Sequence, residues 1–341
     1  MPTLQDQHRI ECLEAGRRRM NLRVAIVGYG SIGRRHGENL TKLGIRQPIV
    51  VRRRRSANRA FAPPDDALIL HSIRGSIEAG LDLAIICNPT SMHVPTARLF
   101  VAAKIPVLIE KPLAGRLSQA EQFARKVELR SANIGMAYCM RYHPAYALAR
   151  EYLVQGRLGR IGYAQAWFES YLPDWHPWED YRQGYAARAE LGGGVLPTLD
   201  HEIDFILWCF GLPADFSTTT SRSGKLDADV DDEAQLTLRY PGHEVEIRLS
   251  ICQPRRTRGF EFVGDRGSLR FSFEGQCLEF ASSEKRADVL WHEPTFDVNV
   301  IYEAMLRDAL DAIAAGRPLP IPVRAGIDAL RIATGKRVKA T

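Results

Sequence analysis

Three glycines whose spacing suits phosphate binding follow the first apolar run of the chain. The motif reads Gly28-Tyr29-Gly30-Ser31-Ile32-Gly33 and lies between a predicted strand and a predicted helix. In such loops the first glycine permits a tight turn, the second lets a pyrophosphate approach the backbone, and the third allows close packing of helix on strand. The positive end of the helix then faces the anion. The pattern predicts a dinucleotide site, and a turn without a ligand is the alternative.

The end of the second predicted strand carries arginines where a carboxylate would favour NAD. An acidic residue about 20 positions after the glycine loop binds the 2′-hydroxyl of the NAD ribose. This chain instead continues Val51-Arg52-Arg53-Arg54-Arg55-Ser56. Guanidinium groups pair well with phosphate, so Arg52 and Arg53 are candidates for binding a 2′-phosphate. We therefore expect NADP in preference to NAD, with some arginines of the run solvated.

The elements that would position these residues alternate between short apolar strands and helical patterns. Helical spacing runs from Ile32 to Leu43, and Ser118 with Glu121 forms a capping-box pattern that predicts the start of another helix. Continuous apolar strands separated by helices are typical of a parallel, doubly wound sheet of the α/β class. The predicted strands are Leu22–Val27, Ile49–Val51, Leu83–Ile86, Val107–Ile109 and Ile134–Tyr138.

The pattern changes after residue 142. A helix is predicted over Ala145–Val154, and the next segment, Ile161–Tyr171, alternates with a period of two. Closely spaced strands joined by turn residues indicate a mostly antiparallel sheet. Its other predicted strands are Glu233–Tyr240, Glu244–Ile251, Phe260–Val263, Ser268–Phe273 and Cys277–Phe280. We predict an extension at residues 1–20, a first domain at 21–142, and a second domain at 143–341 whose C-terminal helices can pack back on the first.

Length and composition exclude several classes of protein. The chain has 341 residues, 45% hydrophobic and 25% charged, which is ordinary for a folded protein of about two domains. Its six cysteines include no CxxC pair, which argues against zinc or a disulfide framework and suits the cytoplasm. No apolar run approaches the roughly 20 residues that span a bilayer, and no signal peptide is recognisable. Arginine runs account for much of the net charge of +6, without a nucleic-acid-binding motif beside them.

Further motifs occur in a fixed order along the chain. They are Cys87-Asn88-Pro89-Thr90-Ser91-Met92-His93, Glu110-Lys111-Pro112, Arg141-Tyr142-His143-Pro144, Gly192-Gly193-Gly194 and Asp200-His201-Glu202-Ile203-Asp204. Together with the glycine loop, this series resembles the Gfo/Idh/MocA family of oxidoreductases, named after glucose–fructose oxidoreductase, inositol dehydrogenase and a rhizopine-catabolism protein. The resemblance extends from about Asn21 to the C-terminus.

The resemblance implies an N-terminal Rossmann domain and a C-terminal α+β domain with a large open sheet, which binds substrate and forms oligomers. It implies that Lys111 and His201 lie beside the nicotinamide. Oxidation of an alcohol needs a base for the hydroxyl proton, for which histidine suits, and a lysine can stabilise the developing alkoxide. A surface lysine and a buried structural histidine are the alternatives. The residues implied in cofactor binding are Gly28, Tyr29, Gly30, Ser31, Ile32, Gly33, Arg52, Arg53, Asn88, Pro89, Thr90, His93, Glu110, Lys111 and Arg141.

One departure from the family pattern concerns the partner of His201. The family usually carries an aspartate a few residues before this histidine, whereas Pro197-Thr198 stands there in this chain. Asp200 replaces the missing carboxylate, Thr198 forms a hydrogen bond instead, or activity is reduced. Asp204 shares a helix face with His201 and either orients the imidazole or forms a cap or salt bridge.

The segment from Tyr171 to Arg182 is rich in aromatic and turn residues and is similar to a loop in family members linked to bacterial surface-polysaccharide sugars. Its aromatic rings can stack on a sugar or form a subunit interface. The candidate substrate residues are Tyr171, Trp175, Tyr181, Arg182 and Arg188. Arg255, Arg256 and Arg258 form a second candidate group, which can bind a phosphate or carboxylate of the substrate or be surface charge.

The function expected from these features is hydride transfer between nicotinamide and a secondary hydroxyl of a sugar, nucleotide sugar or cyclitol. Two alternatives come from the same family: a dinucleotide-sensing regulator without enzymatic activity, and an NAD-dependent glycosidase. The resemblance also implies a homodimer or homotetramer. We expect neither a metal, a nucleic acid nor a membrane as a partner.

Overall fold

In the computed structural model, residues 19–52, 62–128, 131–282 and 287–335 are described, and the chain separates into two units. The first unit holds the chain up to Ala114 together with Ser118–Cys139 and Asn299–Arg324. The second holds Gly115–Leu117, Met140–Val298 and the chain from Ala325.

The first unit is built on a six-stranded parallel sheet of order β3-β2-β1-β4-β5-β6, the order of a Rossmann fold. Five of these strands are buried at every residue, as expected of a parallel sheet covered on both faces. The predicted doubly wound sheet is thereby confirmed. The strands are β1 (Val24–Val27), β2 (Ile49–Val51), β3 (Leu68–Leu70), β4 (Leu83–Ile86), β5 (Val107–Ile109) and β6 (Ile134–Met136).

The helices of the first unit follow the strands as the sequence pattern indicates. They are α1 (Ser31–Lys42), α2 (Ile73–Glu78), α3 (Thr90–Ala102) and α4 (Leu117–Glu128). The predicted start of α4 at Ser118 is wrong, because the helix already includes Leu117, whose side chain is buried. Ser118 therefore lies inside the first turn and does not precede it.

The second unit is built on an eight-stranded sheet of order β14-β13-β12-β11-β7-β10-β9-β8. All neighbours are antiparallel except β7 and β10, which are parallel. The predicted mostly antiparallel sheet is confirmed. The strands are β7 (Ile161–Tyr171), β8 (Asp215–Ser221), β9 (Glu233–Tyr240), β10 (His243–Ser250), β11 (Cys252–Gly264), β12 (Gly267–Ser272), β13 (Cys277–Ser282) and β14 (Asp288–His292).

Helices cover one face of this sheet and form an aromatic core with it. The three helices are α5 (Pro144–Val154), the single-turn α6 (Val195–Thr198) and α7 (His201–Phe210). The ring of Tyr146 on α5 lies 4.4 Å from that of Phe205 on α7 and 5.1 Å from that of Phe260 on β11. Outward-facing residues such as Tyr163 and Arg270 are exposed on the opposite face.

The last two helices are α8 (Asn299–Ala314) and α9 (Val323–Ala333). Within the first unit, α8 packs against α1, where the amides of Asn39 and Asn299 exchange hydrogen bonds of 3.2 and 2.8 Å. The ring of Tyr302 lies below the guanidinium of Arg35. Among the described helices, none has the length and apolar character needed to cross a membrane.

His143 is a buried histidine at the centre of an aromatic cluster in the second unit. Its Nδ1 accepts a hydrogen bond of 3.2 Å from the backbone N–H of Ala145 at the start of α5. Burial, with a smaller contribution from Arg258, lowers the pKa of His143 to about 3. The ring is therefore neutral in the folded protein at pH 7. The surrounding rings, at centroid distances of 4.9 to 5.3 Å, are Tyr146, Phe271, Trp291 and Phe296.

This lowered pKa predicts a loss of stability in acid. A histidine in the unfolded chain titrates near 6.5, so below that pH the unfolded state binds a proton that folded His143 does not. The contribution is present above pH 6.5 and is lost as the pH falls towards 3, by about 3 kcal/mol between pH 7 and pH 4. Urea unfolding across this range measures it. His143→Phe should give a shallower dependence on pH, and an unchanged slope would contradict the prediction.

Candidate active site

The glycine loop has the shape that a pyrophosphate requires. Gly28 has φ +95°, and a Cβ there would lie 2.6 Å from the backbone nitrogen of Asn88. A Cβ at Gly33 would collide with the carbonyl oxygen of Gly28, whereas one at Gly30 would meet no atom within 4 Å. Gly30 also precedes α1 without a side-chain cap. The space beside Gly30 and the N–H groups at the start of α1 therefore fit the phosphates of a dinucleotide.

Arg52 lies directly after β2, beside this loop. Its backbone N–H donates to the carbonyl of Leu70 at 3.0 Å, and its own carbonyl lies 2.9 Å from Nδ1 of His71. Burial raises the pKa of Tyr29 in the glycine loop to about 12, and Arg52 opposes that rise. Arg53, Arg54 and Arg55 lie outside the described residues.

Glu110 fixes the backbone at Lys111 through a buried contact with α1. One carboxylate oxygen lies 2.7 Å from Nε2 of His36, and the other accepts the N–H of Lys111 at 3.2 Å. His36 is fully buried and Glu110 is 7% exposed. The helix that begins at the glycine loop is thereby tied to the end of β5, where Lys111 stands. In the sequence His36 is visible only as a member of a helical face.

His93 connects the ends of two neighbouring strands. Its Nδ1 lies 2.8 Å from the carbonyl oxygen of Pro112, and its Nε2 lies 2.7 Å from that of Asn88. Burial lowers the pKa of His93, and a neutral ring donates to one of these carbonyls. His93 therefore bridges the segment after β4 and the segment after β5. The amide of Asn88 donates to the hydroxyl of Thr96 at 2.8 Å, on the helix that begins at Thr90.

In the second unit, α7 begins at His201. Asp200 precedes the helix and is 2% exposed, while His201 itself is partly accessible. Thr198 is buried in α6, and its hydroxyl lies 3.5 Å from that of Tyr185. Both residues that could take the place of the usual aspartate are thus close to His201 in the chain and protected from solvent.

Asp204 forms a salt bridge with Arg141. The guanidinium of Arg141 donates from Nε at 2.9 Å and from its terminal nitrogen at 2.6 Å to the two carboxylate oxygens. Burial raises the pKa of Asp204, and the guanidinium opposes that rise. Of the roles considered for Asp204, the structure places its carboxylate in the salt bridge. The guanidinium of Arg141, a residue expected to bind the cofactor, donates both of these hydrogen bonds to α7.

A second buried ion pair holds the start of α7 to the sheet. Arg258 on β11 donates to Glu202 at 2.6 and 2.7 Å, and both side chains are below 10% exposed. The charge of Arg258 is therefore already paired with a carboxylate inside the protein. This pairing disfavours Arg258 as a direct ligand of the substrate. The sequence contains both residues without a signal that pairs them.

The aromatic segment after β7 is held by its own contacts. Trp175 donates from its ring nitrogen to Ser170 at 3.1 Å, and its ring is stacked on Phe168 at 6.5 Å. The hydroxyl of Tyr181 accepts the backbone N–H of Asp227 at 3.0 Å. The candidate arginines of this segment have carboxylate partners: Arg182 pairs with Asp180 and Asp227, and Arg188 with Glu190.

Two family models together match more than half of the chain. Residues 22–138 match the model described as an oxidoreductase family with an NAD-binding Rossmann fold. Residues 146–270 match that of the GFO/IDH/MocA C-terminal domain.

Individual relatives are similar over almost the whole chain. The scyllo-inositol 2-dehydrogenase (NADP(+)) of Bacillus subtilis is 23% identical, over 93% of both chains. The inositol 2-dehydrogenase of Acidothermus cellulolyticus is 23% identical over 87% of this chain and 86% of its own. Among solved structures, a levoglucosan dehydrogenase in complex with NADH and levoglucosan has a TM-score of 0.79 at 19% identity, covering 92% of this chain and 95% of its own. The UDP-N-acetylglucosamine 3-dehydrogenase of Acidithiobacillus ferrooxidans gives 0.72 at 20% identity, with the same coverage.

Proposed function

Because this chain belongs to the Gfo/Idh/MocA family of NAD-binding oxidoreductases, we propose that it is a dehydrogenase of a polyhydroxylated substrate. The reaction is hydride transfer between the nicotinamide and a secondary hydroxyl carbon of a sugar, nucleotide sugar or cyclitol. The observation that carries this proposal lies in the first unit. Lys111 follows β5, and the glycine loop, with open space beside Gly30, follows β1 of the same sheet. In doubly wound sheets, ligands bind at the carboxyl ends of the strands.

Two side chains carry the chemistry in this proposal. The nicotinamide, when bound, supplies the hydride acceptor or donor. His201 takes the hydroxyl proton during oxidation and returns it during reduction, because an imidazole titrates near neutral pH. Lys111 donates a hydrogen bond to the reacting oxygen and stabilises the charge that develops there. Asp200 and Thr198 support His201, and Asn88 and His93 hold the segments after β4 and β5, where the nicotinamide would bind.

The relatives support the substrate class. Their names specify inositol, levoglucosan and a nucleotide-linked amino sugar, all of which carry secondary hydroxyl groups on a ring. Oxidation of such a carbon needs the nicotinamide as hydride acceptor, His201 to take the hydroxyl proton and Lys111 to stabilise the oxygen. Homodimers or homotetramers formed through the open face of the sheet, and a cytoplasmic location, complete the proposal.

The cofactor in this proposal is NADP, and the expected result is tighter binding of NADPH than of NADH. Arg52 follows β2, and the residues at the end of this strand contact the adenosine ribose in Rossmann folds. A guanidinium there can pair with the 2′-phosphate, which NADPH carries and NADH lacks. Fluorescence titration should give a Kd for NADPH at least about tenfold below that for NADH, as expected for one charged contact. Arg52→Gln should narrow this ratio. Equal or tighter binding of NADH by the unaltered protein would contradict the preference.

A spectrophotometric screen of sugars, sugar acids, nucleotide sugars and cyclitols with NADP⁺ and NAD⁺ tests the function. We expect reduced cofactor to accumulate with at least one of these substrates. A regulator would bind the dinucleotide without turnover. A glycosidase would release sugar while the amount of reduced cofactor stayed constant, because that reaction returns the hydride.

A further inference from the structure

An irregularity in β11 carries two arginines near the end of the sheet where β7 ends. Cys252 pairs with Tyr171 and Thr257 pairs with Glu169, so β11 contains more residues over this stretch than its neighbour β7. The extra residues cannot follow the ladder and form a bulge. Arg255 and Arg256 stand in this bulge and are accessible to solvent.

Arg256 is held against aromatic rings. Its guanidinium carbon lies 5.7 Å from the centroid of Phe168 and 5.6 Å from that of Phe273. Arg258 lies over the same two rings at 4.7 and 5.6 Å. Stacking on rings restricts a guanidinium while leaving its N–H groups free to point outward.

The carboxylates near this pair of arginines are already engaged. Glu202 binds Arg258, and Glu274 accepts the backbone N–H of Arg258 and the hydroxyl of Ser272. Within the described part of the chain, no carboxylate lies within ion-pair distance of Arg256. Partial burial and the neighbouring Arg258 lower the pKa of Arg256, and the carboxylate of Glu274 opposes that shift. An anion placed beside Arg256 would offset the unfavourable charge of Arg258.

This group of residues adjoins the segment that begins with His201. Glu202, which follows His201, is the residue that Arg258 holds. Trp175 is stacked on the Phe168 ring over which Arg256 also lies, and this tryptophan stands four residues after the end of β7. A ligand whose anionic group lay against Arg256 would therefore extend along the start of α7.

We propose that Arg256 binds an anionic group of the substrate, a carboxylate or a phosphate, and that the protein prefers sugars that carry one. The inference rests on the proposed dehydrogenase function, because it concerns the substrate of that site. The planar fork of the guanidinium matches two oxygens of either group. Arg258 stands behind it as a second positive charge that is already paired with Glu202.

Calorimetric binding of four probes tests the proposal without relying on turnover. The probes are glucose, glucuronate, glucose 6-phosphate and UDP-glucose, each added to the protein saturated with NADPH. We expect at least one anionic probe to bind about 10–100-fold more tightly than glucose, as for a charge-assisted bidentate contact. The carboxylate and phosphate arms identify which group is recognised.

Three variants assign the preference to Arg256. Arg256→Gln should bring the ratio of anionic to neutral affinity close to one, and Arg256→Lys should retain part of it, since the charge remains but the fork is lost. Arg74→Gln, which removes an exposed arginine from α2, should keep the ratio of the unaltered protein. The proposal is overturned if glucose binds as tightly as every anionic probe, or if Arg256→Gln keeps the preference. If anionic probes bind through Arg256 but no sugar is oxidised, the dehydrogenase function fails while the anion site stands.

Discussion

Replacing Lys111 or His201 with alanine should lower kcat by about 10²–10⁴-fold, the range found when a catalytic hydrogen-bond donor or an acid–base group is removed. Cofactor affinity should change far less, because the pyrophosphate loop and the Glu110–His36 contact remain in place. In Lys111→Ala the backbone N–H that donates to Glu110 is retained, so the loss is confined to the side chain. Steady-state kinetics with the substrate found by screening, together with a Kd for NADPH, separates the two effects.

Lys42→Ala is the matched control for this experiment. Lys42 is an exposed lysine at the end of α1, in the same unit as Lys111, and its removal should leave both kcat and Kd unchanged. The pH dependence of kcat supplies a second readout, because replacing a general base changes the part of the pH profile that depends on its protonation. Turnover close to that of the unaltered protein in either alanine variant would overturn the assignment of that residue.

The fold could be predicted where the apolar pattern of the sequence matches the burial of the strand. β2, β4 and β5 are continuous apolar runs because both faces of the parallel sheet are covered, and their limits match the prediction. β3 was not predicted, since Leu68 and Ile69 are exposed at the sheet edge and the run is only three residues long. β8 is rich in serine and threonine, and most of it lies at an exposed edge, so its sequence lacks the alternation that identifies a half-buried strand.

The candidate site was predictable only in its local parts. The spacing of Gly28, Gly30 and Gly33 is a local pattern, and the close approach of Gly33 to the carbonyl of Gly28 lies within it, whereas the crowding at Gly28 comes from the backbone of Asn88. Contacts between distant segments leave no such record: His36 and Glu110 are 74 positions apart, and Arg141 and Asp204 are 63 apart. Helical periodicity correctly gave Asp204 a place on one face of α7, but it could not supply the partner from another element.

The second large effect expected concerns the ion pair between Glu202 and Arg258. Glu202→Gln should destabilise the protein by about 3–5 kcal/mol, because Arg258 would remain buried and charged without its carboxylate. Arg258→Met should be comparably costly, since it strands the carboxylate of Glu202, which is 1% exposed. Urea unfolding, followed by tryptophan fluorescence, measures both. Glu244→Gln, which breaks an exposed pair with Arg239, should cost less than about 1 kcal/mol.

The double variant Glu202→Leu/Arg258→Met separates stability from function. Removing both charges leaves an apolar contact of similar volume, which should restore most of the lost stability. The reason is that the attraction within a buried ion pair exceeds the free-energy cost of desolvating the two charges by little. The pair nevertheless joins the residue after His201 to β11 through directional bonds, and a leucine–methionine contact does not fix a helix start in that way. We therefore expect kcat to remain reduced about tenfold in the stable double variant, the size of effect expected when a positioning contact is lost. Full recovery of both stability and kcat would show that the ion pair contributes packing alone and that His201 is positioned by other contacts.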